Sequence, residues 1–443
     1  MSLRTSAERV VRRLRDAGFE AYFVGGCVRD MVLGIEPHDI DIATSALPHQ
    51  VQNLFPRVLE LGTAFGVCAV RLEGDWFEVA AFRTDLSYAD GRRPEGVAFT
   101  DARGDVQRRD FTINGLLYDP VDDRIIDHIG GRDDIRDKIV RCIGEPAHRF
   151  DEDKLRLLRA VRFAARLGYT IEPHTLAALR AAVPGISAVS AERIGAELLN
   201  IFTGAHADHG LQLLEDTGLL ARVLPEVHAM VGVEQPPKFH PEGDVFTHTK
   251  LMLGLMDGPS PELALGVLLH DVGKPPTFEA ADRIRFNRHA RVGAETAADI
   301  CRRLRLPRSV AQAVTYLVET HMRFMDIRKM RESRLKRLLR EPYFQDALEL
   351  HRLDCLASHG DLGNWEFARE RLESLEPEQI HPPRLLTGHD LIEMGYRPGP
   401  RFGKILSAVE DAQLEGAVSS REQAVALVRD RFPKTRRNAD REG

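Results

Sequence analysis

The chain has 443 residues, which suggests about three or four domains of ordinary size. Apolar residues make up 43% and charged residues 29%, enough for real cores and against general disorder. The net charge of −6 excludes a uniformly basic nucleic-acid binder, so any such contact must come from local basic patches.

Five cysteines (Cys27, Cys68, Cys142, Cys301 and Cys355) stand far apart with no C-x-x-C pair. This fits reduced thiols and argues against a disulfide framework or a structural zinc site. The opening MSLRTSAERVVRRLRDAGFE reads as a charged amphipathic helix. No apolar run approaches the roughly 18 residues of a membrane span. A cytoplasmic protein with no membrane partner is expected.

Residues 1–145 mix strand and helix signals, with AYFVGGCV, HDIDIA, GVCAVRL and WFEVAAFR reading as strands. The first strand ends in Gly25-Gly26 and a helix should begin near Val28. Glycines there let backbone N–H groups approach a phosphate, and Arg29 adds a fixed positive charge. Asp39 and Asp41 follow on HDIDIA, where positions i and i+2 share one face of a strand. Paired carboxylates repel unless a cation lies between them, and hard oxygen ligands suit Mg²⁺. A D-x-D pair also marks solvated strand ends. Glu78 on WFEVAAFR can stand beside the pair or simply face water. In RRDFTINGLLYD, Arg109 and Asp110 either orient such a site or cap a helix.

From residue 146 the pattern is helical. EDKLRLLRAVRFAARLG reads as one helix carrying Glu152, Asp153, Arg156, Arg159 and Arg162, with positions 153, 156 and 159 on one face. Leu155, Leu158 and Val161 form its inward side; taken alone, this is also an ordinary amphipathic helix with salt bridges. Further on, GVLLHDVGKPPTF places adjacent His270 and Asp271 on an apolar helix, expensive to bury unless paired or metal-bound. His248 precedes them, Asp354 follows, and His289 and His321 lie between. Basic clusters occur at 301–308, 328–340 and 432–437; such runs are often solvated helix faces. Pro- and Gly-rich stretches divide the chain into 1–145, 146–235, 236–375 and 376–443.

The strings VGGCVRDMVLGIEPHDIDIAT, FEVAAFR, RRDFTINGLLYD and EDKLRLLRAVRFAARLG resemble the class II tRNA nucleotidyltransferase and bacterial poly(A) polymerase family. The likeness covers roughly residues 20–205, and LLTGHDLIEMGYRPGPRFGKIL is similar to the tail of bacterial CCA-adding members. The resemblance implies an α+β chain, with a mixed-sheet head followed by an all-α neck, body, HD domain and tail. By resemblance, Asp39 and Asp41 bind two Mg²⁺, with Glu78 as third carboxylate, and Gly25, Gly26, Arg29, Arg109 and Asp110 serve the nucleotide. EDKLR is similar to the family's nucleotide-selecting E-D-x-x-R motif. A carboxylate accepts and a guanidinium donates, so Asp153 with Arg156 fits the pairing edge of C or A and mismatches G or U. Arg159 and Arg162 would hold phosphate or the orienting network.

The H…HD…D order looks like the HD metal-dependent phosphohydrolase domain, with a divalent metal on His248, His270, Asp271 and Asp354, extended by His289 and His321. The expected activity is addition of C, C and A to tRNA 3′ ends from CTP and ATP, with the basic clusters gripping the acceptor arm. The stretch 83–96 lies where members that add the terminal A carry a flexible loop, which argues against an enzyme stopping after CC. A-only addition beside a separate CC-adding enzyme, poly(A) synthesis, an HD phosphohydrolase with a relic head and an RNA-binding module without chemistry remain open.

Overall fold

The structure, a computed structural model, describes residues 2–433 apart from 63–65, 86–95, 239 and 281. The first helix, Leu3–Asp16, is capped by Ser2, whose hydroxyl accepts from the Thr5 N–H, and it buries Ala7, Val10, Val11 and Leu14. It packs near a seven-stranded sheet. The strands are β1 (Ala21–Val24), β2 (Asp41–Thr44), β3 (Val58–Gly62), β4 (Val67–Leu72) and β5 (Asp75–Ala81). Then come β6 (Arg83–Asp85), β7 (Val97–Phe99), β8 (Leu117–Asp119) and β9 (Arg124–Ile126). The sheet order is β3-β4-β5-β2-β1-β8-β9, while β6 and β7 pair as a separate ribbon. Only β2 and β5 run parallel; the other neighbours in the sheet are antiparallel. Most of the 83–96 loop lies outside the described residues.

Two local readings need correction. HDIDIA forms a strand only from Asp41 onward, so Asp39 sits in the approach to β2 rather than on it. The segment EDKLRLLRAVRFAARLG is not one helix. Pro146–Glu152 ends before Asp153, which is extended (φ −145°, ψ 107°), and a second helix runs Arg156–Leu167. The physical reason is the aspartate itself, whose carboxylate accepts from the Leu155 N–H at 3.0 Å and so competes with helix continuation. Leu155, Leu158 and Val161 are buried as expected; full burial of an aliphatic side chain is worth about 1.5–3 kcal/mol.

The remainder is mostly helical, with two small strand pairs, Ile139–Val140 with Thr170–Ile171 and Phe278–Ala280 with Ile284–Phe286. One apolar core runs from Ala7 to Ala368, and a separate one spanning Leu386–Val428 holds the tail. The 328–340 basic run faces the tail, where Arg337 and Arg340 pair with Glu410, and Arg337 also with Asp411. In the 301–308 run, Arg302 pairs with Asp299 and Arg303 with Glu226. Most of the 432–437 cluster lies outside the described residues. All five cysteines are buried free thiols. Among the described residues no helix is long and apolar enough to cross a membrane.

Candidate active site

At the end of β1 the chain turns at Gly25 with φ +77° and ψ −136°, which a side chain would strain. A Cβ there would also come within 3.3 Å of Arg109 Nη1. The helix Gly26–Val32 starts at once, two residues before the expected Val28. Antiparallel pairing sets Val24 opposite Asp41, and the parallel register Ile42↔Val79 brings Glu78 beside Asp41 on the adjacent strand. Asp39 and Asp41 line one cleft of about 470 Å³; Glu78 is not in its lining but stands near enough to act on the Asp41 charge. By surface area Asp41 is exposed, yet it stands deep enough among protein atoms to lose hydration. That desolvation, then the negative charges of Glu78 and Asp39, lift its carboxyl to about 6 against the opposing pull of Arg109. Repelling carboxylates with a raised proton affinity are a donor set that fits a divalent cation.

The facing wall is cationic. Arg29 is buried, donating to Asn114 Oδ1 at 2.6 Å and to Asp30 Oδ1 at 2.7 and 2.9 Å. Phe163 lies under Arg29, Arg159 and Arg162, with guanidinium carbons 5.5, 5.2 and 4.5 Å from the ring centre. Arg108 and Arg109 both hold Asp105; burial alone would raise that carboxyl, but the two guanidiniums outweigh it and keep it below its ordinary value. Asp110 accepts from Arg159 at 2.5 and 2.8 Å and from the Phe111 N–H at 2.8 Å. Arg156 donates to Glu152 Oε2 at 2.5 Å and to the Arg149 carbonyl at 2.9 Å. Asp153 accepts from Arg193 at 2.8 Å, and Arg162 pairs with Glu197 at 3.2 Å.

The second constellation lies in the helical body. His248 is on the helix Val245–Gly254, His289 opens the helix His289–Arg303, and Asp354 is on Phe344–Ala357. His270 and Asp271 do not lie within the helix as read; it ends at Leu269, and the pair forms the following turn. His270, His289 and His321 each present Nδ1 to a backbone carbonyl, at 2.8, 2.9 and 2.7 Å. A carbonyl only accepts, so each Nδ1 carries the proton and each Nε2 lone pair turns inward. The Nε2 atoms of His289 and His321 stand 3.2 Å apart, two acceptors facing each other. Asp271 bridges the group, with Oδ2 at 3.0 Å from His270 and Oδ1 at 3.7 and 3.8 Å from His289 and His321. His248 Nε2 and His270 Nε2 are buried without a well-formed hydrogen bond, although Asp354 Oδ1 is 3.2 Å from the former. Inward lone pairs, two carboxylates and orphaned buried nitrogens fit divalent cations. The sets His248, His270, Asp354 and Asp271, His289, His321 each bring ligand atoms within 4.8 Å of one another.

Protonation follows the same geometry. Burial drives the His321 imidazole down to about 4, whereas at His248 the carboxylates of Asp354 and Glu242 overcome burial and raise it to about 9. Asp271 is held well below the carboxylate range because its contacts with His270 and Lys274 outweigh burial. A cavity of about 310 Å³ opens beside the centre, walled by Phe286, Ile284, Met322 and Met325.

Three family models match: a poly A polymerase head domain over residues 21–141, a probable RNA- and SrmB-binding site of polymerase A over 168–231, and an HD domain over 245–358. A CCA-adding enzyme of Lactobacillus gasseri is 32% identical over 429 residues, covering 95% of this chain and 96% of the relative. The chain belongs to the CCA-adding enzyme family. A Geobacillus stearothermophilus CCA-adding enzyme is 43% identical over 213 residues, 48% of this chain and 52% of the relative. The crystal structure of the Bacillus stearothermophilus CCA-adding enzyme in complex with CTP superposes with a TM-score of 0.76 at 28% identity, covering 97% of this chain and 98% of the other. The Thermotoga maritima CCA-adding enzyme complexed with tRNA shares the fold, with a TM-score of 0.59 at 18% identity.

In this CCA-adding family member, the predicted Gly25, Gly26, Arg29, Asp39, Asp41, Arg109, Asp110, Asp153, Arg156 and Arg159 share the head cleft. Glu78, Glu152 and Arg162 stand outside its lining; Glu152 holds Arg156 and Arg162 is bound to Glu197. Sequence reasoning missed Asn114, Phe163 and Arg193 in the cleft. It also missed Glu242 and Lys274 at the HD centre, where Lys274 holds Asp271 at 2.6 Å. HDVGK places Lys274 three residues beyond Asp271, a spacing that signals the contact; nothing in the sequence marks Arg193.

Proposed function

We infer that this chain completes tRNA 3′ ends by adding C, C and A from CTP and ATP in the head cleft. The observation carrying the reading is one cleft with Asp39 and Asp41 on one wall and Asp153 and Arg156 on the other. Full-length similarity to relatives named CCA-adding enzymes favours this over A-only addition or poly(A) synthesis.

Asp39, Asp41 and Glu78 would hold Mg²⁺, which when bound lowers the pKa of an attacking hydroxyl and neutralises a leaving pyrophosphate. Arg29 and Arg109, braced by Asp30 and Asp105, receive the triphosphate, and Gly25 leaves room for it to come close. Asp153 accepts from the amino group of C or A, and Arg156 donates to the adjacent ring nitrogen. Guanine and uracil offer the reverse pattern and would leave buried groups unpaired, at about 1–3 kcal/mol each. Arg159 supports this wall through Asp110.

Purified protein with Mg²⁺, CTP and ATP should extend tRNA lacking CCA by three nucleotides and stop. Extension only of CC-ended tRNA would make it an A-adding enzyme that depends on a CC-adding partner. Long A tails would make it a poly(A) polymerase, and no incorporation would refute the reading.

The converging imidazoles carry a second reading: a hydrolytic HD centre for phosphate esters, with His248, His270 and Asp354 on one cation and Asp271, His289 and His321 on another. Such ions, when bound, supply a nucleophilic water. Release of phosphate from a generic phosphomonoester, lost in His270→Ala, tests it.

A further inference from the structure

Three of the four inward imidazoles at the HD centre are anchored by backbone carbonyls, but His248 is not. Its Nδ1 meets Glu242 Oε1 at 2.6 Å. Glu242 precedes the helix that carries His248, and the turn between them passes through Gly243 at φ +128°, a conformation that folds the carboxylate back over the first helical turn. The Glu242 side chain is only 7% exposed, and the same oxygen accepts from His240 Nδ1 at 2.9 Å. Its second oxygen, Oε2, is buried without a hydrogen-bond partner among the described residues. Folding therefore places a charged acceptor in a poorly solvated pocket, aimed at two ring N–H groups. This is costly unless orienting those rings matters.

We propose that Glu242 is a positioning residue of the HD metal centre. It fixes His248 in the Nδ1–H tautomer, directs Nε2 at the cation site shared with His270 and Asp354, and strengthens His248 as a ligand through its charge. A carboxylate behind a ligating imidazole raises ligand basicity, and losing such a partner typically costs 10–100-fold in metal affinity. The inference rests on the metal-centre reading above.

The test uses the full chain and Co²⁺, whose visible absorption reports coordination by nitrogen and oxygen ligands, with isothermal titration giving affinity. With Asp39→Asn and Asp41→Asn carried in every protein compared, so that the head carboxylates do not take up Co²⁺, the otherwise wild-type chain should bind two ions. Glu242→Leu should weaken one of them about 10–100-fold and leave the other within twofold. His289→Ala should do the converse. Glu242→Gln keeps a neutral acceptor of the same size. Because charge-assisted hydrogen bonds are roughly twice as strong as neutral ones, it should fall between wild type and Glu242→Leu. Thermal melting of each variant reports folding independently, and Glu242→Gln decides the question if the leucine variant melts early. Affinities of both variants within twofold of wild type at both sites would overturn the positioning role. Absence of Co²⁺ binding by wild type would overturn the metal-centre reading itself.

Discussion

Arg193 donates to Asp153 at 2.8 Å across 40 residues of sequence, so the carboxylate that would read the base is held from behind by a guanidinium. Asp153 also accepts from the Leu155 N–H, which fixes the other oxygen. Arg193→Ala should loosen the reader without removing it. Discrimination of CTP and ATP against UTP and GTP is expected to fall by about 10–100-fold, the equivalent of losing a hydrogen bond worth roughly 1–3 kcal/mol. Single-nucleotide incorporation with each of the four triphosphates checks this. An equal loss for all four would instead mean that Arg193 only supports the fold.

Asp110 and Arg159 form a pair of which one member is buried. Burial alone would raise the Asp110 carboxyl, but Arg159 outweighs it and holds it below its ordinary value. With the folded pKa lowered, the stabilisation is present above the unfolded value and lost as pH falls through the folded one. Arg159→Ala strands the carboxylate and should cost about 3–5 kcal/mol at neutral pH. Urea denaturation should show a lower midpoint, and the deficit should shrink under acid conditions.

Asp41 carries the opposite sign. Its folded carboxyl is raised to about 6, so the metal-free protein loses stability as pH rises from the unfolded value, near 4, through 6. Asp41→Asn relieves the repulsion and should raise the melting temperature in chelator, while nucleotide addition falls at least about 10²–10³-fold. Because a proton and a cation compete for one carboxylate, apparent Mg²⁺ affinity should decline below pH 6, by up to tenfold per unit. Mg²⁺ titrations of nucleotide addition at pH 5, 6 and 7.5 measure it. A pH-independent Mg²⁺ requirement would remove Asp41 from the ion's ligands.

His248, raised to about 9 by Asp354 and Glu242 against burial, must lose its proton before Nε2 can bind a metal. Metal affinity at that site should therefore increase from pH 7 to pH 9, with about one proton released per ion. Calorimetry in buffers of differing ionisation heat counts the protons. In metal-free protein the same shift stabilises the fold below the ordinary histidine value, and that contribution fades as pH rises through 9.

Much of what the fold gathers into the head cleft was legible in the sequence, because these residues stand at short spacing. Asp39 and Asp41, Gly25 and Gly26, and Arg156 and Arg159 were all picked out by their spacing and line that cleft. The histidines and aspartates of the body were legible too, because few other roles justify burying them. The helix periodicity around Leu158 and Val161 was equally plain. What failed was local: apolar spacing does not reveal that Asp153 prefers its own backbone contact to helix continuation. Arg193, Phe163 and Glu242 could not be found by pattern. Each acts only through a partner that folding delivers, and a lone glutamate before a helix or a lone arginine on one is common.

The tail's attachment has a practical consequence. Its apolar core is its own, whereas Arg337, Arg340 and Lys336 clasp Glu410, Asp411 and the Leu414 carbonyl on its surface. Partly exposed ionic clasps weaken with salt, while an apolar core does not. Raising ionic strength should therefore set the tail swinging as an intact unit long before it melts. A protease cutting near residues 376–384 would then release a folded fragment, which makes salt a handle on how far the two ends of the molecule can part.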